Sequence, residues 1–143
     1  MLWLSGPMMT NSVRTIATIC LAVAATVLSA APAGADPEQS ELSLSVSKGD
    51  AQSSGAEQVT LTCDPAAGSH PAASEACAAL TVAGGAFDKL AGSPGVRCPK
   101  IYTPVTATAA GTWHGRNFQW QKTFGNTCEL HAATTPLFDF FTS

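Results

Sequence analysis

VTLTCDPAAGSHPAASEACAAL, residues 59–80, changes its structural period halfway along. Val59, Leu61 and Cys63 alternate with Thr60 and Thr62, the two-residue repeat of a half-buried strand, and predict a strand from about Gln58 to Cys63. After a turn-rich stretch, Pro71 suits the first turn of a helix, and ASEACAALTVA continues that helix until Gly84-Gly85 ends it. Ala73, Cys77, Leu80 and Ala83 then lie about one turn apart, which places Cys77 on the buried face, where a cystine would staple helix to strand.

Strands flank this unit on both sides. Upstream, DPEQS reads as a frayed tail, and ELSLSVSKG alternates Leu42, Leu44 and Val46 with Ser43, Ser45 and Ser47 before AQSSGAE loops back. Downstream, Phe87 and Leu90 suggest a second short helical turn ahead of GSPG. Val105, Ala107 and Ala109 alternate with Thr106 and Thr108, and Ala110-Gly111 offers a turn. The returning segment TWHGRNFQWQKTFG sets Phe118, Trp120 and Lys122 against Asn117, Gln119 and Gln121, with Gly115 expected as a bulge or kink. PLFDFF is expected to form a short, aromatic last strand. Strands, helix and strands in that order make an α+β domain: an antiparallel sheet with helix on one face.

Arg14, the apolar run from Ile16 to Ala31 and the small residues Ala33-Gly34-Ala35 read together as a secretory signal peptide over residues 1–35. A membrane anchor fits less well, because the run is rich in Ala and Thr and ends in a cleavage pattern. Residues 36–143 are enough for one small domain with one core. With only Arg14 lost in the leader, 6 basic and 10 acidic residues remain, a formal charge of −4. No basic stripe exists to displace phosphate counterions, so nucleic acid is excluded as a partner.

Cys20 leaves with the leader, and Cys63, Cys77, Cys98 and Cys128 remain. An even set in a short exported chain implies two disulfides, and none of the four forms a CxxC zinc pattern. Three pairings are open on spacing alone. Two bridges would each stabilise so small a domain by about 3 to 4 kcal/mol on the chain-entropy account.

Little in the chain could carry catalysis. His70, His114 and His131 lack the spacing of metal ligands, and no GxSxG, HExxH or phosphate-cradling glycine pattern occurs. Asp64 and Glu75 are isolated in sequence. Trp113, Phe118, Trp120 and Phe124 could form a binding platform, but aromatic residues at alternating strand positions more commonly fill a core.

The remaining feature is RCPKIYTP, residues 97–104. Pro99 fixes its own φ at about −65° and holds Cys98 extended, Pro104 restricts Thr103 in the same way, and Cys98 offers a covalent anchor. Lys100, Ile101 and Tyr102 project from this stiffened segment. An ordinary exposed lysine in a connecting loop is the plain reading. An inflexible, extended loop presenting side chains is also what a protease cleft binds.

VTLTCDPAAGSHPAASEACAAL, CPKIYTPVT (98–106), TFGNTCELHAAT (123–134) and GTWHGRNF between the last two resemble the actinobacterial, Streptomyces-type subtilisin inhibitor family, over essentially the whole mature domain. The likeness implies a five-stranded antiparallel sheet with two helices, the disulfides Cys63–Cys77 and Cys98–Cys128, and a homodimer formed through the sheets. It implies a reactive bond between Lys100 and Ile101, with Lys100 as P1, Pro99 as P2, Cys98 as P3, and a protease-binding loop of Cys98, Pro99, Lys100, Ile101, Tyr102 and Thr103. The expected partners are extracellular serine proteases of trypsin-like and subtilisin-like type; no catalytic group, cofactor or metal is expected in the inhibitor itself. The chain departs from the family at Thr103, where Asp is common, at Trp120-Gln121, where a Tyr-Glu type pair is usual, and in its PLFDFFTS terminus. The alternative is a secreted binding module without a protease target, using the Trp- and Phe-bearing sheet.

Overall fold

The computed structural model describes residues 39–51 and 55–142, which belong to one compact unit; the leader expected over residues 1–35 lies outside them. Its elements are β1 (Ser40–Lys48), β2 (Glu57–Cys63), α1 (Ala73–Val82), a 3₁₀ turn (Phe87–Lys89), β3 (Val105–Trp113), β4 (Arg116–Phe124) and α2 (Thr127–Thr134). The strands form an antiparallel sheet in the order β2-β1-β3-β4.

Register makes the core. Leu44 lies between Val59 and Ala109, and Ala109 faces Trp120; Leu42 lies between Leu61 and Gly111, and Gly111 faces Phe118. The two-residue alternation therefore continues across all four strands, and one face becomes apolar. Leu42, Leu44, Val46, Leu61, Ala107 and Ala109 are buried there. Helix α1 adds Ala76 and Leu80, with Ala73 and Cys77 partly buried beside them, and the Cys63–Cys77 bridge ties it to β2 with a Cα separation of 5.6 Å. Phe87, in the 3₁₀ turn, stacks on Phe118 at 5.2 Å and on Trp120 at 5.1 Å. The opposite face carries Ser43, Ser45, Gln58, Thr60, Thr108, Ala110, Gln119 and Gln121, none of which joins the hydrophobic core.

The described residues contain four strands and not the expected five. PLFDFF forms turns, with Leu137 N–H donating to the Thr134 carbonyl and Phe141 N–H to that of Phe138. Leu137 and Phe138 are adjacent and both fully buried. A strand would send them to opposite faces; a turn folds both inward.

The hairpin turn also falls elsewhere than expected. Gly111 is a strand residue, and β3 runs on to Trp113, which pairs with Arg116 across His114-Gly115. Both turn residues have left-handed φ, 47° and 74°, as a two-residue hairpin that follows sheet twist requires. Gly115 is thus a turn residue and not a bulge. At Gly111, φ is 145° and a Cβ would run into the Glu41 carbonyl, so glycine is what allows β1 and β3 to approach there.

Candidate functional site

From Leu90 to Pro104 the chain forms neither helix nor strand, and its last part lies along the N-terminus of α2. That terminus is built by local chemistry. Asn126 stands in extended backbone, and its Oδ1 accepts from Glu129 N–H at 2.9 Å, the side-chain bond of a helix N-cap. Glu129 Oε2 in turn accepts from Gly125 N–H at 3.1 Å. Asn126 followed three residues later by Glu129 is a sequence signature of a helix start.

Four links join this corner to the loop. The Cys98–Cys128 disulfide spans 5.6 Å between Cα atoms. Asn126 Nδ2 donates to the Pro99 carbonyl at 3.1 Å and to the Ile101 carbonyl at 2.9 Å. Thr103 N–H donates to the Gly125 carbonyl at 2.8 Å. Both N–H donors of the Asn126 amide and its oxygen are thereby engaged, and the side chain is buried. Because Glu129 N–H must meet an oxygen, the amide nitrogen necessarily faces the two loop carbonyls. At the far end, the Pro104 carbonyl accepts from Gly49 N–H at 2.8 Å.

The segment expected to bind a partner is accordingly held from beneath and bare above. Ile101 is 61% exposed and Tyr102 73%, unusual for large apolar side chains, and Lys100 is exposed between Pro99 and Ile101. The two carbonyls gripped by Asn126 lie on either side of Lys100, so one buried amide spans the Lys100–Ile101 bond. Of the residues expected at the site, Cys98, Pro99, Ile101 and Thr103 are each tied to residues 125–128, while Lys100 and Tyr102 are exposed. Asn126 was not singled out by sequence reasoning, although its helix-start signature could have drawn attention to it.

Of the three histidines, His70 ties parts of the fold together. His70 is 5% exposed; its Nδ1 accepts from Ala72 N–H at 3.0 Å, so its Nε2 carries the proton and donates to the Leu137 carbonyl at 2.9 Å. His114 occupies the hairpin turn, and His131 lies in the last turn of α2. Among the described residues no three His, Cys, Asp or Glu side chains converge as metal ligands would. The aromatic side chains of β4 are engaged by the protein's own rings: Trp120 also faces Phe138 at 5.9 Å, and Phe124 is buried.

Known proteins resemble this chain in sequence and fold. The profile of the family described as subtilisin inhibitor-like covers residues 38–126. Subtilisin inhibitor-like protein 2 of Streptomyces rochei is 44% identical over 104 residues, covering 71% of this chain and 92% of the relative. Trypsin inhibitor STI2 of Streptomyces longisporus is 46% identical over 83 residues, covering 57% and 58%. Among solved structures, Streptomyces caespitosus sermetstatin, in complex with Bacillus licheniformis subtilisin, superposes with a TM-score of 0.58 at 36% identity, over 66% of this chain and 91% of that one. The two Streptomyces sequence relatives bear the names of inhibitors, not of enzymes.

Proposed function

The chain belongs to the subtilisin inhibitor-like family of protease inhibitors, and from that premise we propose that it inhibits serine proteases through the Lys100–Ile101 bond, with Lys100 entering the S1 pocket. The observation that carries this reading is the Asn126 amide, bonded to the carbonyls on both sides of an exposed lysine. A loop bound like a substrate becomes an inhibitor when it enters the cleft already in its bound shape and leaves slowly. Four links to residues 125–128 mean that little conformational entropy remains to be lost on docking. If the bond is cut, Asn126 and the Cys98–Cys128 bridge keep the new amine beside the acyl-enzyme, where religation competes with water. Interfaces of this kind, at about 1,600 Å², include some of the tightest known, with Kd reaching about 10⁻¹³ M.

Lysine directs the choice of target. Its ammonium can pair with a carboxylate at the base of a trypsin-like S1 pocket, where desolvation strengthens the bond. In a broader apolar S1 its methylenes can lie along the wall with the charge near solvent, so subtilisin-like enzymes are targets as well. Export through cleavage of residues 1–35 belongs to the same proposal, and it suits a domain with two disulfides. Among the described residues no helix is long and apolar enough to cross a membrane. The small, polar face of the sheet is a natural surface for the homodimer that the family likeness implies, which sedimentation would test.

The decisive experiment mixes the oxidised domain with trypsin and, separately, with subtilisin. Stoichiometric loss of protease activity and a single new N-terminus at Ile101 are expected. Full activity in both mixtures would reject the proposal in favour of a binding module without a protease target.

A further inference from the structure

We infer that Glu129 is a positioning residue for the primed side of the reactive loop, an inference that rests on Lys100–Ile101 being the reactive bond. Thr103 N–H is held by the Gly125 carbonyl at 2.8 Å, and Gly125 N–H is held by Glu129 Oε2 at 3.1 Å. The same Glu129 donates its own N–H to Asn126 Oδ1, the amide that grips the Pro99 and Ile101 carbonyls. One residue of α2 therefore secures both anchors of the loop, the Gly125 backbone by its carboxylate and the Asn126 amide by its N–H. The carboxylate also lies at the N-terminus of α2, where the helix dipole favours negative charge.

Gly125 fits this role for a reason of space and not of backbone freedom. It is absent from the residues with left-handed φ, yet a Cβ there would sit 2.8 Å from Glu129 Oε2. The glycine leaves room for the carboxylate to reach its N–H. Glu129 also lines a groove with Val96, Cys98 and Lys100, which places it along the edge of the surface a protease would cover.

The test compares Glu129→Ala, Glu129→Gln, Gly125→Ala and the double variant Gly125→Ala/Glu129→Ala with the wild-type chain. Three quantities are read: hydrogen exchange of the Thr103 amide, the equilibrium ratio of cut to intact Lys100–Ile101 bond under catalytic trypsin, and thermal stability. Glu129→Ala should speed Thr103 exchange and raise the cut fraction by about tenfold each, the scale of losing a charge-assisted hydrogen bond at a half-buried site. Glu129→Gln keeps an acceptor and should stay near wild type. Any effect of Gly125→Ala should run through Glu129, so adding it to Glu129→Ala should change nothing further. Unchanged Thr103 exchange and an unchanged cut ratio in Glu129→Ala would overturn the inference. Should that variant not fold, Glu129→Asp, whose shorter stem draws the carboxylate back from Gly125 N–H, decides in its place, and wild-type Thr103 exchange there overturns it equally. Wild-type chain that neither inhibits trypsin nor is cut at Lys100 would refute the reactive-bond reading instead, while Thr103 exchange would still report on Glu129's hold.

Discussion

Replacing Asn126 separates the stability of the fold from the stiffness of the loop. Asn126→Ala removes three hydrogen bonds: the helix cap to Glu129 N–H, and the two donations to the Pro99 and Ile101 carbonyls. Losing an N-cap costs about 1 kcal/mol. In a domain of this size that lowers Tm by about 4 to 8 °C. The two loop bonds act differently, because Pro99 and Ile101 are exposed and their carbonyls can turn to water once released. Their loss, at about 1 kcal/mol each, falls mainly on binding, since the loop must then be ordered again on docking. About 2 kcal/mol corresponds to about 30-fold in the inhibition constant. Asn126→Asp is the sharper variant. Aspartate caps a helix as well as asparagine does, but it has no N–H to give and sets a charge against two carbonyl oxygens. Its inhibition constant, from titration of trypsin and subtilisin, should weaken at least as much as that of Asn126→Ala although the cap to Glu129 N–H is retained. An Asn126→Asp protein that inhibits as tightly as wild type would show that the clamp across Lys100 contributes nothing to inhibition.

Three other outcomes are expected. Lys100→Met should weaken trypsin inhibition by at least about 30-fold and leave subtilisin inhibition within a few-fold, since only the trypsin pocket loses a buried charge pair; equal losses in parallel titrations would contradict the assignment of Lys100 to S1. Replacing both Cys98 and Cys128 by Ser should turn the inhibitor into a substrate, seen as protease activity that recovers as Lys100–Ile101 is consumed, and lasting inhibition would disprove the need for the bridge. His70→Ala leaves the Leu137 carbonyl and Ala72 N–H without their partner. It should cost about 2 to 3 kcal/mol, measured by denaturant unfolding, and an unchanged midpoint would mean that water replaces the ring.

Where the physics is local, the chain alone is readable. The alternation in Leu42, Leu44 and Val46 depends on nothing beyond a strand with one apolar face, and these three side chains are buried. Pro99 and Pro104 stiffen their own backbone and that of the preceding residue wherever they occur, so an inflexible segment around Lys100 follows from covalent structure. The disulfide partners were open on spacing, implied by family likeness, and are met by the geometry of both bridges.

The rest depended on neighbours distant in sequence. Along the chain Ala110-Gly111 reads as the turn and Gly115 as a bulge; only when β1 is laid beside β3 does the Glu41 carbonyl claim the space over Gly111 and leave the turn to His114-Gly115. PLFDFF has the composition of a strand, but Leu137 and Phe138 each find apolar surroundings, and burying both together requires a turn. Asn126 reads along the chain as a helix cap and nothing more. Its grip on Pro99 and Ile101, which lie 27 and 25 residues earlier, exists only because folding brings the start of α2 beneath the loop, and no periodicity in a sequence can encode a contact across that separation.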